Sequence, residues 1–394
     1  MKIAVFTDTF HPAINGVVTA TNNLVRGLAD RGHDVLLITP EFKGADVIKY
    51  KRIYHITCRG IPVFVLADFK TTLPLNWKLY KTLKLFNPNV IHFQTPWTVG
   101  LQAIVMAKIL HKPLVGTFHT FLFDPDYLKN IKILHNRQFA KFADKYCLYY
   151  YDKCDIVTAP SISTLKALQV LGLQKPIMYV SNGISSSNFD TSKYEIFRDK
   201  YAAKGQTLFL YIGRVAPEKN LVFLIKTFKE LIRYNNNCRL VMVGDGPDFQ
   251  LIQALIKKEE LINKVAMLGR LPHEEILESG IYRACDVFVT ASKTENQPMT
   301  ILEAQLNGLP CVCMDSRGLP DLVFHEQNGL ISKTDDFNGF VANLKRLSVD
   351  KPLISNLSEG ALNKIKLHEL KQVIRNWEDL YHKLMVTNSE EMIS

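Results

Sequence analysis

Short apolar runs recur along the first half of the chain, each followed by a longer stretch with helical spacing or by a loop. "KIAVFTD" precedes "GVVTATNNLVRGLADRGH", in which Val17, Leu24, Val25 and Leu28 fall near helical spacing. The runs "DVLLITP", "NVIHFQ", "LVGTFH", "DIVTAP" and "IMYVSNG" follow. The second half restarts the series with "LFLYIGR", "RLVMVGDG", "KVAMLGR", "DVFVTAS" and "PCVCMD". Strands that are almost wholly apolar and alternate with helices predict parallel sheets covered on both faces. Two series predict two Rossmann-like α/β domains, residues 1–185 and 186–369, joined by the polar, turn-rich stretch near residues 184–206. The end, "LKQVIRNWEDLYHKLM", is again helical, and its apolar residues could dock on either domain. No repeat at solenoid periods and no low-complexity tract interrupts the pattern.

A length of 394 residues, 47% of them hydrophobic, suits two domains with ordinary cores. No run of about 18 apolar residues predicts a membrane-spanning helix. The opening "MKIAVFTDTF" reads as a buried first strand, not as a signal peptide. The seven cysteines form no CxxC pair, and Cys311 and Cys313 alternate within a predicted strand, so they read as core thiols in a reducing cytosol. Charge is more telling. Residues 1–190 hold 22 Lys and Arg against 12 Asp and Glu, and the remainder 26 against 26, so the whole net charge of +10 lies in the first half. Such a half suits an anionic partner, nucleic acid or a membrane surface, or presents a generally basic solvated face.

Ligands of open α/β sheets bind beyond the carboxyl ends of the strands, so the residues just after each strand carry the candidate chemistry. After the first strand, "TDTFHPAINGVVTA" places Gly16 ahead of a helix, where backbone can approach a ligand; the pattern is not GxGxxG, which argues against a dinucleotide dehydrogenase. His119 in "GTFHT" ends another strand, either as a satisfied structural imidazole or within reach of a sugar hydroxyl. "YIGRVAPEKN" ends a strand with Arg214 and sets Lys219 five residues on, a pair able to meet a diphosphate without a metal. In "TENQPMTILEAQLNG", Pro298 suits a first helical turn and Gly308 its close, so the amides near Met299 and Thr300 would face a phosphate. Glu303, one turn in, can accept a ribose diol, and Glu295, before the turn, faces the other end of the ligand. Two carboxylates bracketing a helix N-terminus suit a nucleotide sugar. Asp124 and Asp126, with Pro125 between them, read as a turn in preference to a metal pair.

With these motifs assembled, the chain resembles the retaining glycosyltransferases of family 4, which have the GT-B fold. The resemblance runs in order through "TDTFHPAINGV", "NPNVIHFQTPWTVG", "GTFHT", "SNGI", "YIGRVAPEKN", "VGDGPDF", "TENQPMTILEAQLNGLP" and "RGLPDLV". It implies two Rossmann-like domains with parallel sheets facing across a cleft, the first binding acceptor and the second the nucleotide sugar, and a C-terminal helix, 370–394, returning to the first. It also implies roles. Gly16 lies near the donor phosphate and the reacting centre, and His119 contacts the donor sugar. Arg214 and Lys219 bind the diphosphate, Glu295 holds the sugar with the backbone that follows it, and Glu303 binds the ribose. His119, Arg214, Lys219 and Glu295 are the catalytic candidates; Gly16, Arg214, Lys219, Glu295, Pro298, Met299, Thr300 and Glu303 are the donor-binding ones. Departures stand at Asn15-Gly16, where the family often has two glycines, at Pro298, which supplies no N–H, and at Ser185, where Asp is frequent.

The likeness is greatest to the glycolipid-synthesising branch, notably diacylglycerol glucosyltransferases. The expected reaction moves a hexose, best glucose from UDP-glucose, to a lipid acceptor; the alternative is a mannosyl- or glucosyltransferase for a soluble or cell-envelope saccharide or a phosphatidylinositol-type lipid. The stretch Lys129 to Lys153 carries Lys129, Lys132, Arg137, Lys141 and Lys145 among aromatic and aliphatic residues, either a basic amphipathic helix for an anionic bilayer or a core-packed helix with a basic outer face. The expected partners are a nucleotide sugar, a lipid acceptor and an anionic membrane surface at the inner face of the cell membrane. No cofactor, metal or nucleic acid is expected.

Overall fold

The apolar runs form two parallel sheets. The structure, a computed structural model, describes residues 1–13, 15–42, 47–63, 66–73, 76–119, 145–186, 189 and 192–391. The described residues divide into two compact units, one holding those up to Gly183 together with those from Leu370 onward, the other those of Ile184–Glu369.

The first unit contains β1 (Lys2–Phe6), α1 (Gly16–Asp30), β2 (Asp34–Pro40), β3 (Ile53–Cys58), β4 (Gly60–Val63), β5 (Leu66–Thr72), α2 (Trp77–Phe86), β6 (Val90–Phe93), α3 (Thr98–Leu110), β7 (Leu114–Thr117), α4 (145–151), β8 (Ile156–Ala159), α5 (Ile162–Leu171) and β9 (Ile177–Tyr179). Its parallel sheet has the order β3-β2-β1-β6-β7-β8-β9, and β4 and β5 form a separate antiparallel pair. The second unit contains α6 (Tyr194–Tyr201), β10 (Thr207–Ile212), α7 (Leu221–Tyr234), β11 (Cys238–Val243), α8 (Phe249–Lys258), β12 (Val265–Met267), α9 (His273–Glu278), α10 (Ile281–Ala284), β13 (Val287–Val289), α11 (Met299–Leu306), β14 (Cys311–Asp315), β15 (Gly329–Lys333), α12 (Phe337–Val349) and α13 (Lys351–Lys364). Its sheet runs β12-β11-β10-β13-β14-β15, all parallel. In each sheet the order reverses beside the first strand, between β1 and β6 and between β10 and β13. A crevice at such a switch point is where an open α/β sheet takes its ligand.

The helix α14 (Leu370–Glu391) packs on α1 in the first unit. Val373, Ile374, Trp377, Leu380 and Tyr381 are buried there with Val25 and Leu28. Burial of each such large side chain contributes on the order of 1.5–3 kcal/mol. A Cβ on Gly27 would lie 2.6 Å from the Ile374 side chain, so the two helices meet only because that position has none. At the rim, Glu378 accepts from Arg31 and pairs with His33, whose other ring nitrogen meets the N-terminal amine at 3.0 Å. Among the described residues no helix is long and apolar enough to cross a membrane. All seven cysteines are buried free thiols.

Candidate active site

In the second unit the site is assembled from loops at the carboxyl ends of β10, β11 and β13. The loop after β10 carries Arg214 and ends in a single turn of 3-10 helix, Pro217–Lys219. The loop after β11 is laid directly on it: Val215 N–H donates to the Asp245 carbonyl and Asp248 N–H to that of Val215, each at 3.0 Å. Gly244 permits the approach, for with a φ of +138° its Cβ would fall 1.8 Å from the Gly213 carbonyl oxygen. Arg214 is exposed, and its charge lies close enough to Asp248 to draw that carboxyl down, although burial wins and leaves it raised.

The loop after β13 carries Glu295. It is fixed to the 3-10 turn by the Lys293 N–H on the Glu218 carbonyl and to the loop after β14 by the Gly318 N–H on the carbonyl of Glu295 itself. Lys219 and Glu295, 76 residues apart, thereby meet as an ion pair at 2.5 Å with both side chains about four-fifths buried. Pro298 lies at the N-cap of α11, one position ahead of the first helical turn, and caps nothing with its side chain. The first bond of the helix comes from Ile301 to the Pro298 carbonyl, so the N–H groups of Met299 and Thr300 precede the intrahelical ladder at an end that carries no acidic first-turn residue. At the other end Gly308 takes φ +77° and the N–H of Leu309 reaches back to Ala304, closing the helix.

Glu303 is 2% exposed, and both its carboxylate oxygens are engaged. His273, at the start of α9, meets one at 2.7 Å, and the Tyr282 hydroxyl on α10 donates to the other. Burial pulls His273 down, but the hydrogen bond and charge of Glu303 outweigh it and its pKa ends raised. Burial, then the same charge, pushes the Tyr282 hydroxyl well above its usual range. A carboxylate has about four lone-pair positions, so one held this way can still accept from a diol. Sequence reasoning missed both partners. The signal was faint: a histidine opening the short polar segment "PHEE" after β12, and one tyrosine in "IYRA".

In the first unit, Gly16 opens α1 just after Asn15, whose side chain accepts from the Val18 N–H and donates to Thr9 Oγ1 at 3.1 Å. Asp8, after β1, is wholly buried and accepts from the N–H groups of Val99 and Gly100 at the head of α3 and from Thr95. Burial pushes its carboxyl up to about 7 against those donors. His119, after β7, lines a small recess with Gln94, Asn182, Ala20, Leu24 and Trp377. Burial holds its pKa down to about 4, so the ring is neutral at ordinary pH. Gly16 is not part of that lining.

Lys129, Lys132, Arg137 and Lys141 lie outside the described residues, as do Asp124 and Asp126; Lys145, in α4, is exposed. A basic surface that the motif search passed over is α2. Trp77 is 69% and Leu85 88% exposed, Lys81 lies over the Trp77 ring and Lys84 over that of Tyr80, and only Leu79 and Leu83 are buried.

Residues 14–188 match the family described as Glycosyltransferase Family 4, and residues 192–364 that described as Glycosyl transferases group 1. The chain is similar to an alpha-monoglucosyldiacylglycerol synthase of Acholeplasma laidlawii, 26% identical over 404 residues that span 100% of this chain and 99% of the relative. It is similar also to a GDP-mannose-dependent alpha-mannosyltransferase of Mycobacterium tuberculosis, 25% identical over 346 residues, 86% of this chain and 85% of the other. Among solved structures, Anabaena HepE in complex with UDP-glucose superposes with a TM-score of 0.77 over 97% of this chain and 100% of that one at 17% identity. The fold is therefore GT-B.

Proposed function

From the chain's membership of glycosyltransferase family 4, we propose that it transfers a hexose, best glucose from UDP-glucose, to a membrane lipid such as diacylglycerol with retention of configuration. The observation that carries this reading is the cluster at the switch point of the second sheet: Lys219 on Glu295 beside the uncapped start of α11. As the bond from the anomeric carbon to the diphosphate oxygen breaks, the departing charge meets Arg214, Lys219 and the amides of Met299 and Thr300. These are fixed groups that need no metal to stabilise it. The acceptor oxygen bonds to the same face, and its proton passes to the leaving diphosphate. Glu295 holds sugar hydroxyls once Lys219 turns to phosphate, Glu303 takes the ribose, and His119 accepts from a hydroxyl of the sugar.

The lipid acceptor is supported by the glycolipid-synthase relative and by the charge of the first half of the chain. Helix α2 supports a peripheral site at the cytoplasmic face of the membrane, with Trp77 and Leu85 for the interface and Lys78, Lys81 and Lys84 for anionic headgroups at about 1 kcal/mol each. The mannosyltransferase relatives favour a second reading, GDP-mannose to a saccharide or a phosphatidylinositol-type lipid. A panel of UDP- and GDP-sugars, each with and without anionic vesicles containing diacylglycerol, separates the two. Turnover of UDP-glucose multiplied by acceptor vesicles is the expected result. Turnover of GDP-mannose alone, or of any donor at equal rate without lipid, overturns the lipid-glucosyl assignment.

A further inference from the structure

We propose that Gln94 is a positioning residue for His119 and that, through His92 and Tyr381, it ties the orientation of that imidazole to the C-terminal helix. The inference rests on the reading that puts His119 against the transferred sugar. Four side chains make the connection. His119 Nε2 lies 2.7 Å from Gln94 Oε1, Gln94 Nε2 lies 2.9 Å from His92 Nε2, and His92 Nδ1 lies 2.8 Å from the Tyr381 hydroxyl on α14. Thr117 Oγ1 braces His92 at 2.6 Å and is itself 2.8 Å from Thr158 Oγ1. Gln94, His92, Thr117, Thr158 and Tyr381 are all at most 2% exposed.

A buried amide between two imidazoles is costly unless both its ends are satisfied, and here both are. Its two ends differ, and that difference carries information. The carbonyl end faces His119, so His119 donates from Nε2 and its Nδ1 becomes the acceptor nitrogen of a neutral ring. Such a ring accepts a hydroxyl proton and does not give one. The Gln94 amide N–H faces His92 Nε2, so that nitrogen accepts and His92 donates from Nδ1 to the Tyr381 hydroxyl, while the Gln94 carbonyl sets the direction of the bond at His119. The sheet order explains the placement, since Gln94 follows β6 and His119 follows the neighbouring β7. On its other side His92 meets the Trp377 ring at 4.8 Å, so α14 holds both the far end of the relay and, through Leu370 and Trp377, a wall of the recess that His119 lines.

The test compares Gln94→Leu, His119→Ala and the double variant in the full chain, reading kcat and donor KM. Gln94→Glu, which keeps an acceptor for Nε2–H, serves as the conservative partner. Gln94→Leu should lower kcat/KM at least tenfold, and the double variant should match His119→Ala within about twofold, because Gln94 acts only through the ring. Gln94→Glu should retain turnover and shift an inflection of the pH–rate profile upward, as its charge favours the imidazolium. Losses that multiply in the double variant overturn the link. Wild-type kcat and KM in His119→Ala would remove the sugar reading of His119, and the ¹⁵N shifts of that ring then decide the link on their own. An Nε2–H tautomer that becomes mixed in Gln94→Leu upholds it, and an unchanged tautomer overturns it.

Discussion

Lys219 cannot serve a diphosphate and Glu295 at once without cost, and the sign of that conflict can be measured. In the ion pair Lys219 Nζ lies 2.5 Å from Glu295 Oε1, with side-chain exposures of 20% and 18%. A phosphate oxygen in contact with the ammonium would lie about 5 Å from the carboxylate. Two unit charges at that distance repel by about 3 kcal/mol at an effective dielectric of 20. The partial exposure of both groups and ordinary salt cut this to about 1 kcal/mol, which is roughly fivefold in affinity. Glu295→Gln keeps the shape and a hydrogen-bonding oxygen for Lys219 but removes the charge. It should therefore bind the free nucleoside diphosphate, UDP in the preferred reading, about fivefold more tightly by calorimetry, with the gain shrinking as salt rises. Transfer should move the other way, with kcat falling, because in the proposed function that carboxylate holds the sugar. Weaker UDP binding in Glu295→Gln would refute the reasoning, since it would mean that the carboxylate organises Lys219 for phosphate and does not compete with it.

Tyr282→Phe leaves one buried oxygen of Glu303 without its donor; it should cost about 1–3 kcal/mol in urea unfolding and raise donor KM, and an unchanged KM removes the ribose role from Glu303. Asp8 has a folded pKa of about 7, above its ordinary 3.8, so its contribution to stability is complete below about pH 4 and is lost as pH rises through 7. Urea midpoints across that window should fall in the wild type and lose that component in Asp8→Asn; an identical slope in the variant counts against a proton on Asp8. Gly27→Val drives a Cβ into Ile374 and should cost about 1–3 kcal/mol by forcing α1 from α14, read as a lower thermal midpoint, whereas a wild-type midpoint shows that the helices can part freely.

The strands were legible because a parallel strand covered on both faces is apolar along most of its length, and β10, buried at every residue of "TLFLYI" with a single threonine at its start, shows it. The site was half legible, and the boundary is physical. Signals that live in one stretch of chain could be read: the proline ahead of α11, the glycine that closes it, and two carboxylates bracketing its start. Pairings made by packing could not. Lys219 and Glu295 are 76 positions apart, His273 and Glu303 are 30 apart, and His92 and Tyr381 are 289 apart. Nothing in local spacing brings such residues together; the sheet order does.

That order also explains why the unread residues are so often polar and buried. At the carboxyl ends of β1, β6, β7, β10 and β13 the chain leaves the sheet with backbone and side-chain polar groups inside the fold, and each needs a partner. Asp8 finds the head of α3 and Gln94 finds two histidines; Glu303, inside α11, likewise finds a tyrosine and a histidine. The "VIHFQ" strand held the one usable hint, since a histidine inside a fully buried run and a glutamine at its end can persist only in a satisfied network. A ligand arriving at either switch point therefore meets groups already committed to one another. It must share their lone pairs, as the ribose would with Glu303, or exchange partners, as the diphosphate would at Lys219.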